Sequence, residues 1–162
     1  MRFRVGVLGA TGYIGVPYRR EIRQASDQGL VTWMCGRREQ LLKIAQQDDP
    51  DARITTRWQD VVEADDVDIV LIATPDALHH QAVLACAKAG KHVICEKPIG
   101  MNADEAKQIR DVIANANLAH FVPFWTRYSP LFQRCRQPVR LSVMCGLRAH
   151  VVLWPHPPTA GP

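Results

Sequence analysis

The last third of the sequence lacks acidic residues. All 16 Asp and Glu lie in residues 1–111, whereas residues 112–162 contain five Arg and no acid, so the two parts carry net charges of −1 and +5. An average stretch of that length would hold about six acids. A basic nucleic-acid-binding tail is one interpretation, but these arginines are scattered singly and no lysine accompanies them. We therefore expect no nucleic-acid partner.

Long apolar runs and paired cysteines are also absent. No apolar run approaches the roughly 20 residues of a membrane span, and the short run after the first arginines is broken by glycine, so neither membrane insertion nor a signal peptide is expected. The five Cys include no CxxC pair, which argues against a disulfide framework and a zinc site. His79 and His80 have no metal-ligand partner at suitable spacing. A reducing, cytoplasmic environment is expected.

Apolar strand-like runs alternate with helix-like segments, which is typical of an α/β fold with a doubly wound parallel sheet. The predicted strands are 3–8, 30–35, a short strand around Ile54, 68–73, 91–95 and 118–122. The predicted helices are 13–28, 38–47, 57–64, 76–89, which ends at Gly90, and 102–117, where Asn102 and Glu105 match a capping box. We expect residues 1–122 to form one domain.

The motif GATGYIG follows the first strand and opens the first helix. In that context the glycines suit a tight turn, close backbone approach to a pyrophosphate and close helix packing. The helix N-terminus supplies free N–H donors and a partial positive charge. A glycine-rich connecting loop without a ligand is the alternative. The candidate dinucleotide contacts are Gly9, Ala10, Thr11, Gly12, Tyr13 and Ile14.

The end of the second strand bears on the choice of dinucleotide. An acid commonly bonds the ribose 2′-hydroxyl of NAD there, but this chain has Gly36, followed by Arg37 and Arg38. A small residue leaves room for a 2′-phosphate, and arginine pairs with phosphate through charge-assisted hydrogen bonds. We therefore favour NADP, with NAD possible. The alternatives are that both arginines begin a solvated helix, or that Glu39 takes the part of the acid.

Further motifs make the chain similar to a known family. ATP at 73–75, AGKHV at 89–93 and EKP at 96–98 follow the glycine turn, and FVPFWTRYSPLF occupies 121–132. Over about residues 3–134 the sequence resembles the Gfo/Idh/MocA oxidoreductases. The resemblance implies a Rossmann domain that binds NAD(P), followed by a second domain that binds the substrate. It also implies hydride transfer between the nicotinamide and a sugar, an inositol or a similar hydroxyl compound.

The resemblance also implies roles for single residues. Lys97 would be the catalytic lysine that polarises or protonates the substrate oxygen; the alternative is a surface lysine paired with Glu96. His79 would reach the cofactor, with a buried structural histidine as the alternative. Arg127 would close over the cofactor, with a solvated turn as the alternative. The remaining candidate cofactor contacts are Thr74, Pro75, Glu96 and Lys97 itself.

The chain departs from the family pattern towards its end. Residues 123–154 are interpreted as a remnant of the start of the second domain and 155–162 as an irregular proline-rich tail. A reading-frame shift near residues 135–140 is our hypothesis for the acid-free tail, and a merely truncated gene is the alternative. Apolar residues 151–154 would then favour self-association. We expect an oxidoreductase by ancestry with weak or no turnover as this chain, or alternatively a non-catalytic dinucleotide-binding module.

Overall fold

A computed structural model describes residues 2–130 and 132–134. The chain divides into two compact units, Met1–Phe124 and Trp125–Pro162. The first unit contains the sheet and helices discussed below. In the described part of the second unit, Trp125–Tyr128 form a 3₁₀ turn. The interpretations of residues 135–162 as part of a domain remnant and a tail, and of residues 151–154 as a self-association segment, lie outside the described residues.

Six parallel strands form one sheet in the order β3-β2-β1-β4-β5-β6. The strands are β1 (Phe3–Leu8), β2 (Gly29–Cys35), β3 (Arg53–Thr55), β4 (Ile69–Ile72), β5 (His92–Cys95) and β6 (His120–Phe121). The helices of the first unit are α1 (Gly15–Gln24), α2 (Glu39–Ala45), α3 (Trp58–Glu63), α4 (His79–Lys88) and α5 (Ala103–Asn115). The strand order reverses between β1 and β4, and open α/β sheets bind ligands outside the carboxyl ends of the strands at such a point.

Each face of the sheet carries its own core, because side chains alternate along the central strands. On β1, Val5 and Val7 point into the cluster that includes Leu42 of α2, whereas Leu8 joins the cluster on the other face. That second cluster includes apolar residues of α3, α4 and α5. Burial on both faces explains why the strands read as nearly continuous apolar runs. The α/β, doubly wound fold expected from the sequence is confirmed.

The helices are shorter than expected from the sequence, most clearly α1, which spans Gly15–Gln24 rather than 13–28, and two further details differ. The segment expected as one helix from 76 to 89 is a 3₁₀ turn, Asp76–Leu78, followed by α4. The capping box at the start of α5 is half formed: Asn102 Oδ1 accepts the Glu105 N–H at 2.9 Å, but the Glu105 carboxylate accepts the N–H of Met101 rather than that of Asn102. Among the described residues, no helix has the length and apolarity needed to cross a bilayer.

Candidate dinucleotide site

The turn after β1 lies against the carboxyl end of β4. Gly9 adopts a left-handed backbone with φ of 79°, and a Cβ there would collide with the carbonyl oxygen of Ala73. The N–H groups of Gly9 and Ala10 both donate to Cys35 O at 2.9 Å, which also holds the turn against the end of β2. Only glycine combines this conformation with so close an approach. The first glycine thus fixes the turn at the point where the strand order reverses.

The other two glycines bring the start of α1 onto this turn. Gly12 N–H donates to Gly9 O at 2.9 Å, and Gly15 is buried so closely that a Cβ would meet Ala10 Cα at 3.0 Å and the backbone of Gly9 closer still. Within the described chain, the N–H groups of Thr11, Tyr13 and Ile14 have no protein acceptor. These donors, at a helix N-terminus, have the geometry and the partial positive charge that suit an anionic ligand.

Thr74 provides a test of whether a polar ligand fits beside the turn. Its Oγ1 is buried and has no hydrogen-bond partner among the described residues, and its backbone N lies 3.2 Å from where a Cβ on Gly9 would stand. Buried hydroxyls ordinarily have a partner, so an orphaned one is consistent with a bound polar group. The exposed Pro75 follows it directly. The residues of the turn and of β4 therefore fit a phosphate-containing ligand.

The end of β2 presents small and basic residues beside the same turn. A Cβ on Gly36 would meet Thr11 Oγ1 at 3.0 Å, so the glycine lets the Thr11 hydroxyl lie close against the end of β2. Arg37 and Arg38 are exposed and form no ion pair in the described chain. Glu39 instead pairs with Lys43 at 2.8 Å, and this contact lowers the pKa of the Glu39 carboxyl. Two unpaired guanidinium groups thus stand next to the position where an acid is common in NAD sites.

The turn after β5 is joined both to the sheet and to α1. Glu96 N–H donates to Ile72 O at 3.0 Å, which places this turn beside the end of β4. Tyr18 of α1 donates its hydroxyl proton to Glu96 Oε1 at 2.6 Å, and Glu96 Oε2 accepts the backbone N–H of Lys97 at 3.1 Å. Lys97 is exposed and forms no ion pair in the described chain. The sequence left open whether Lys97 pairs with Glu96. In the structure, the Glu96 carboxylate contacts the backbone N–H of Lys97 rather than its ammonium.

His79 lies behind these turns. Its side chain is fully buried, with Nδ1 2.7 Å from Pro98 O and Nε2 3.0 Å from Thr74 O. The ring thus lies between the turn after β4 and the turn after β5. Each ring nitrogen faces a backbone carbonyl, and a neutral imidazole, with one N–H, donates to one of the two. This arrangement corresponds to the buried structural histidine, which was the alternative to a direct cofactor contact. Arg127 is exposed in the 3₁₀ turn of the second unit.

A buried ion pair between Arg19 and Asp49, which the sequence analysis did not identify, contacts the glycine turn. Arg19 on α1 is 3% exposed and contacts the Asp49 carboxylate at 2.6 Å. Its guanidinium also donates to Ala10 O at 3.3 Å and to Ala45 O at 2.7 Å. Arg23 adds a second contact to Asp49 at 3.0 Å. The only sequence signal for this network is a basic residue on the otherwise buried side of an amphipathic helix.

Comparison with known proteins identifies the family. A model described as "Oxidoreductase family, NAD-binding Rossmann fold" (Gfo/Idh/MocA) matches residues 3–124. The chain belongs to the Gfo/Idh/MocA oxidoreductase family. It is similar to the rhizopine catabolism protein MocA of Rhizobium meliloti, with 31% identity over 90% of this chain and 45% of that protein. It is also similar to levoglucosan dehydrogenase of Pseudarthrobacter phenanthrenivorans, with 40% identity over 47% of this chain and 20% of that protein.

A solved Gfo/Idh/MocA structure shares the fold. Scyllo-inositol dehydrogenase from Lactobacillus casei, whose structure contains bound NAD(H) and scyllo-inositol, aligns with a TM-score of 0.78 and 25% identity, over 87% of this chain and 42% of that one. The chain thus spans less than half the length of each of these relatives. The residues that match the family model, 3–124, include β1 to β6 and the turns that follow β1, β2, β4 and β5.

Proposed function

We propose that this chain binds a nicotinamide dinucleotide and forms the nucleotide-binding part of an NAD(P)-dependent oxidoreductase. The observation that carries the proposal is the set of unpaired N–H groups of Thr11, Tyr13 and Ile14 above a turn in which Gly9 is packed against Ala73. The pyrophosphate would lie on these donors. The Thr74 hydroxyl, which has no partner among the residues that the structure describes, supports a polar ligand at the same edge of the sheet.

The proposed reaction is hydride transfer between the dinucleotide and a sugar, an inositol or a similar hydroxyl compound. The bound nicotinamide supplies the hydride chemistry. Lys97 is the proposed catalytic residue: when the carbonyl compound is reduced, its ammonium polarises the substrate oxygen or donates a proton to it, and when the hydroxyl compound is oxidised, its neutral amine accepts the hydroxyl proton. Glu96, fixed by two hydrogen bonds, bounds the site on the other side of the same turn. The inositol dehydrogenases among the relatives support this substrate class.

NADP is the proposed dinucleotide, and NAD is the alternative. At the end of β2, Gly36 offers no acid, and the exposed Arg37 and Arg38, which form no ion pair in the described chain, suit a 2′-phosphate. Glu39 is engaged by Lys43, so it is poorly placed to serve as the ribose-binding acid. The NAD(H) in the Lactobacillus casei structure favours the alternative. Free, buried cysteines such as Cys86 and Cys95 accord with a reducing cytoplasm as the proposed location.

A dinucleotide-binding module without catalysis is the second candidate. It is favoured by the compact unit Met1–Phe124, which holds the complete sheet and both core clusters by itself. Calorimetric titration with NADPH and NADH tests binding, and a screen of inositols and sugars for reduction of the dinucleotide tests turnover. Binding with turnover supports the oxidoreductase, and binding without turnover supports the module. Absence of binding by either dinucleotide would overturn both.

A further inference from the structure

The carboxylate that precedes Lys97 is held in place by a residue of α1. Tyr18 lies one turn into the helix that begins at the dinucleotide turn, and its ring packs against the same core cluster as Ile22 and Ile94. Its hydroxyl donates to Glu96 Oε1 at 2.6 Å, while Oε2 accepts the Lys97 N–H at 3.1 Å. Both oxygens of Glu96 therefore have a fixed donor, and the carboxylate has little freedom to turn.

The expected partner of such a carboxylate is the neighbouring ammonium. Exposed lysines and nearby acids can form ion pairs, as Lys43 and Glu39 do four residues apart on α2 at 2.8 Å. Lys97 forms no such pair in the described residues. Residues beyond Asp111 contain no Asp or Glu, so the rest of the chain has no side-chain carboxylate to offer. The Lys97 ammonium is thus left without an acidic side-chain partner although an acid is next to it in sequence.

We propose that Tyr18 is a positioning residue that holds the Glu96 carboxylate away from the Lys97 ammonium and so keeps the ammonium available to a ligand. The inference rests on the proposed function, in which Lys97 acts on the substrate oxygen. Burial and the contact with Glu96 raise the pKa of the Tyr18 hydroxyl above its usual range, so the phenol remains a donor even at alkaline pH. Because Tyr18 belongs to α1, the same helix positions both the pyrophosphate end and the lysine end of the site.

Besides Lys97, four titratable groups of the described chain lie around this arrangement. Cys95 directly precedes Glu96, and its Sγ lies 3.5 Å from Glu96 O. Tyr18 approaches from α1, and Glu96 belongs to the same turn as Lys97. His79 approaches from α4 and contacts Pro98 O at 2.7 Å. Of these, only Glu96 carries a carboxylate that can neutralise Lys97, and Tyr18 is the side chain that restrains it.

The test compares how fast an amine-acylating reagent labels each lysine, read by peptide mass spectrometry at one pH. An ion-paired ammonium loses its proton less readily and reacts more slowly. In the full chain, Tyr18→Phe is expected to slow labelling of Lys97 about twofold to fivefold, the factor that a weak exposed ion pair produces. Lys43, paired with Glu39, and Lys107, which has no acidic partner in the described chain, are internal references. Tyr128→Phe, at an exposed tyrosine, is the matched control and should change nothing.

Variants of Glu96 separate positioning from general structural damage. In a Glu96→Gln background, Tyr18→Phe should no longer affect Lys97, because the charge it restrains is gone. Glu96→Gln alone should leave labelling close to that of the wild type. Unchanged labelling in Tyr18→Phe, equal slowing in both backgrounds, or faster labelling in Glu96→Gln alone would each overturn the proposal. The labelling needs no nucleotide, so a failure of dinucleotide binding is detected separately by calorimetry.

Discussion

The carbonyl oxygen of Ala73 occupies the space that a side chain on residue 9 would need. This contact joins the carboxyl ends of β1 and β4, and it explains why the first glycine of the motif has both a left-handed backbone and no room for a methyl group. The turn is therefore specified by a long-range contact as well as by its local sequence.

Gly9→Ala should destabilise the fold and abolish dinucleotide binding. The left-handed backbone and the collision with Ala73 together should lower the free energy of unfolding by about 2–4 kcal/mol. The matched control is Gly90→Ala, because Gly90 has φ of 69° but no atom within 4 Å of an added Cβ. That variant should cost only about 1–2 kcal/mol and leave binding intact. Equal losses for both variants in urea unfolding would contradict the role of the Ala73 contact.

Replacing both Arg37 and Arg38 with alanine should weaken the binding of NADPH more than the binding of NADH. Loss of charge-assisted hydrogen bonds to a 2′-phosphate should reduce the affinity for NADPH about tenfold or more. The affinity for NADH should change little, since its ribose carries no phosphate. Calorimetry of both ligands checks this, with Arg110→Ala, a surface arginine paired with Asp111, as the control. An equal loss for the two dinucleotides would reject NADP as the preferred ligand.

Arg19→Met should be strongly destabilising. It would leave the Asp49 carboxylate, of which 4% is exposed, with only the partly exposed Arg23 as a partner. Breaking a buried pair from one side commonly costs about 3–5 kcal/mol. The neighbouring Arg20→Met removes an exposed contact to Glu21 and should cost less than about 0.5 kcal/mol. Urea denaturation of the two variants measures the difference, and similar midpoints would show that the buried pair contributes little.

Stability should fall at acid pH through Asp68. Its carboxylate accepts two hydrogen bonds from the Arg4 side chain and one from the Arg4 N–H, and these lower its pKa to about 2. Because the pKa is lowered by folding, the stabilisation is fully present above pH of about 4 and is lost as pH falls through about 2. Unfolding curves of the wild type should therefore converge towards those of Asp68→Asn over this range. If the difference in stability between the wild type and Asp68→Asn stayed constant over this pH range, the assignment of the lowered pKa to Asp68 would be contradicted.

Most of the sheet could be predicted from sequence because its strands are buried on both faces. The run DIVLIA marks β4 without ambiguity, and the glycine motif indicates where α1 begins. The break between the 3₁₀ turn at Asp76–Leu78 and α4 was not predictable. It depends on His79 being drawn between Thr74 O and Pro98 O, a contact that joins segments 19 residues apart.

The candidate site was only partly visible in the sequence for the same physical reason. Motifs indicated the glycine turn and Lys97, because their backbone requirements are local. Tyr18 and Glu96 are 78 residues apart, and Arg19 and Asp49 are 30 apart, so no local pattern links them. Such side-chain pairs are decided by how the helices lie on the sheet. They become predictable only once the strand order is known.

The most direct test of the account is an amide NMR titration of the chain with NADPH and with NADH. If the turn holds the pyrophosphate, the largest shifts should fall on the N–H groups of Thr11, Tyr13 and Ile14, with Arg37 and Arg38 responding more to NADPH. If the amides of this turn stay unchanged at saturating ligand while others move, the dinucleotide binds elsewhere and the central claim is contradicted.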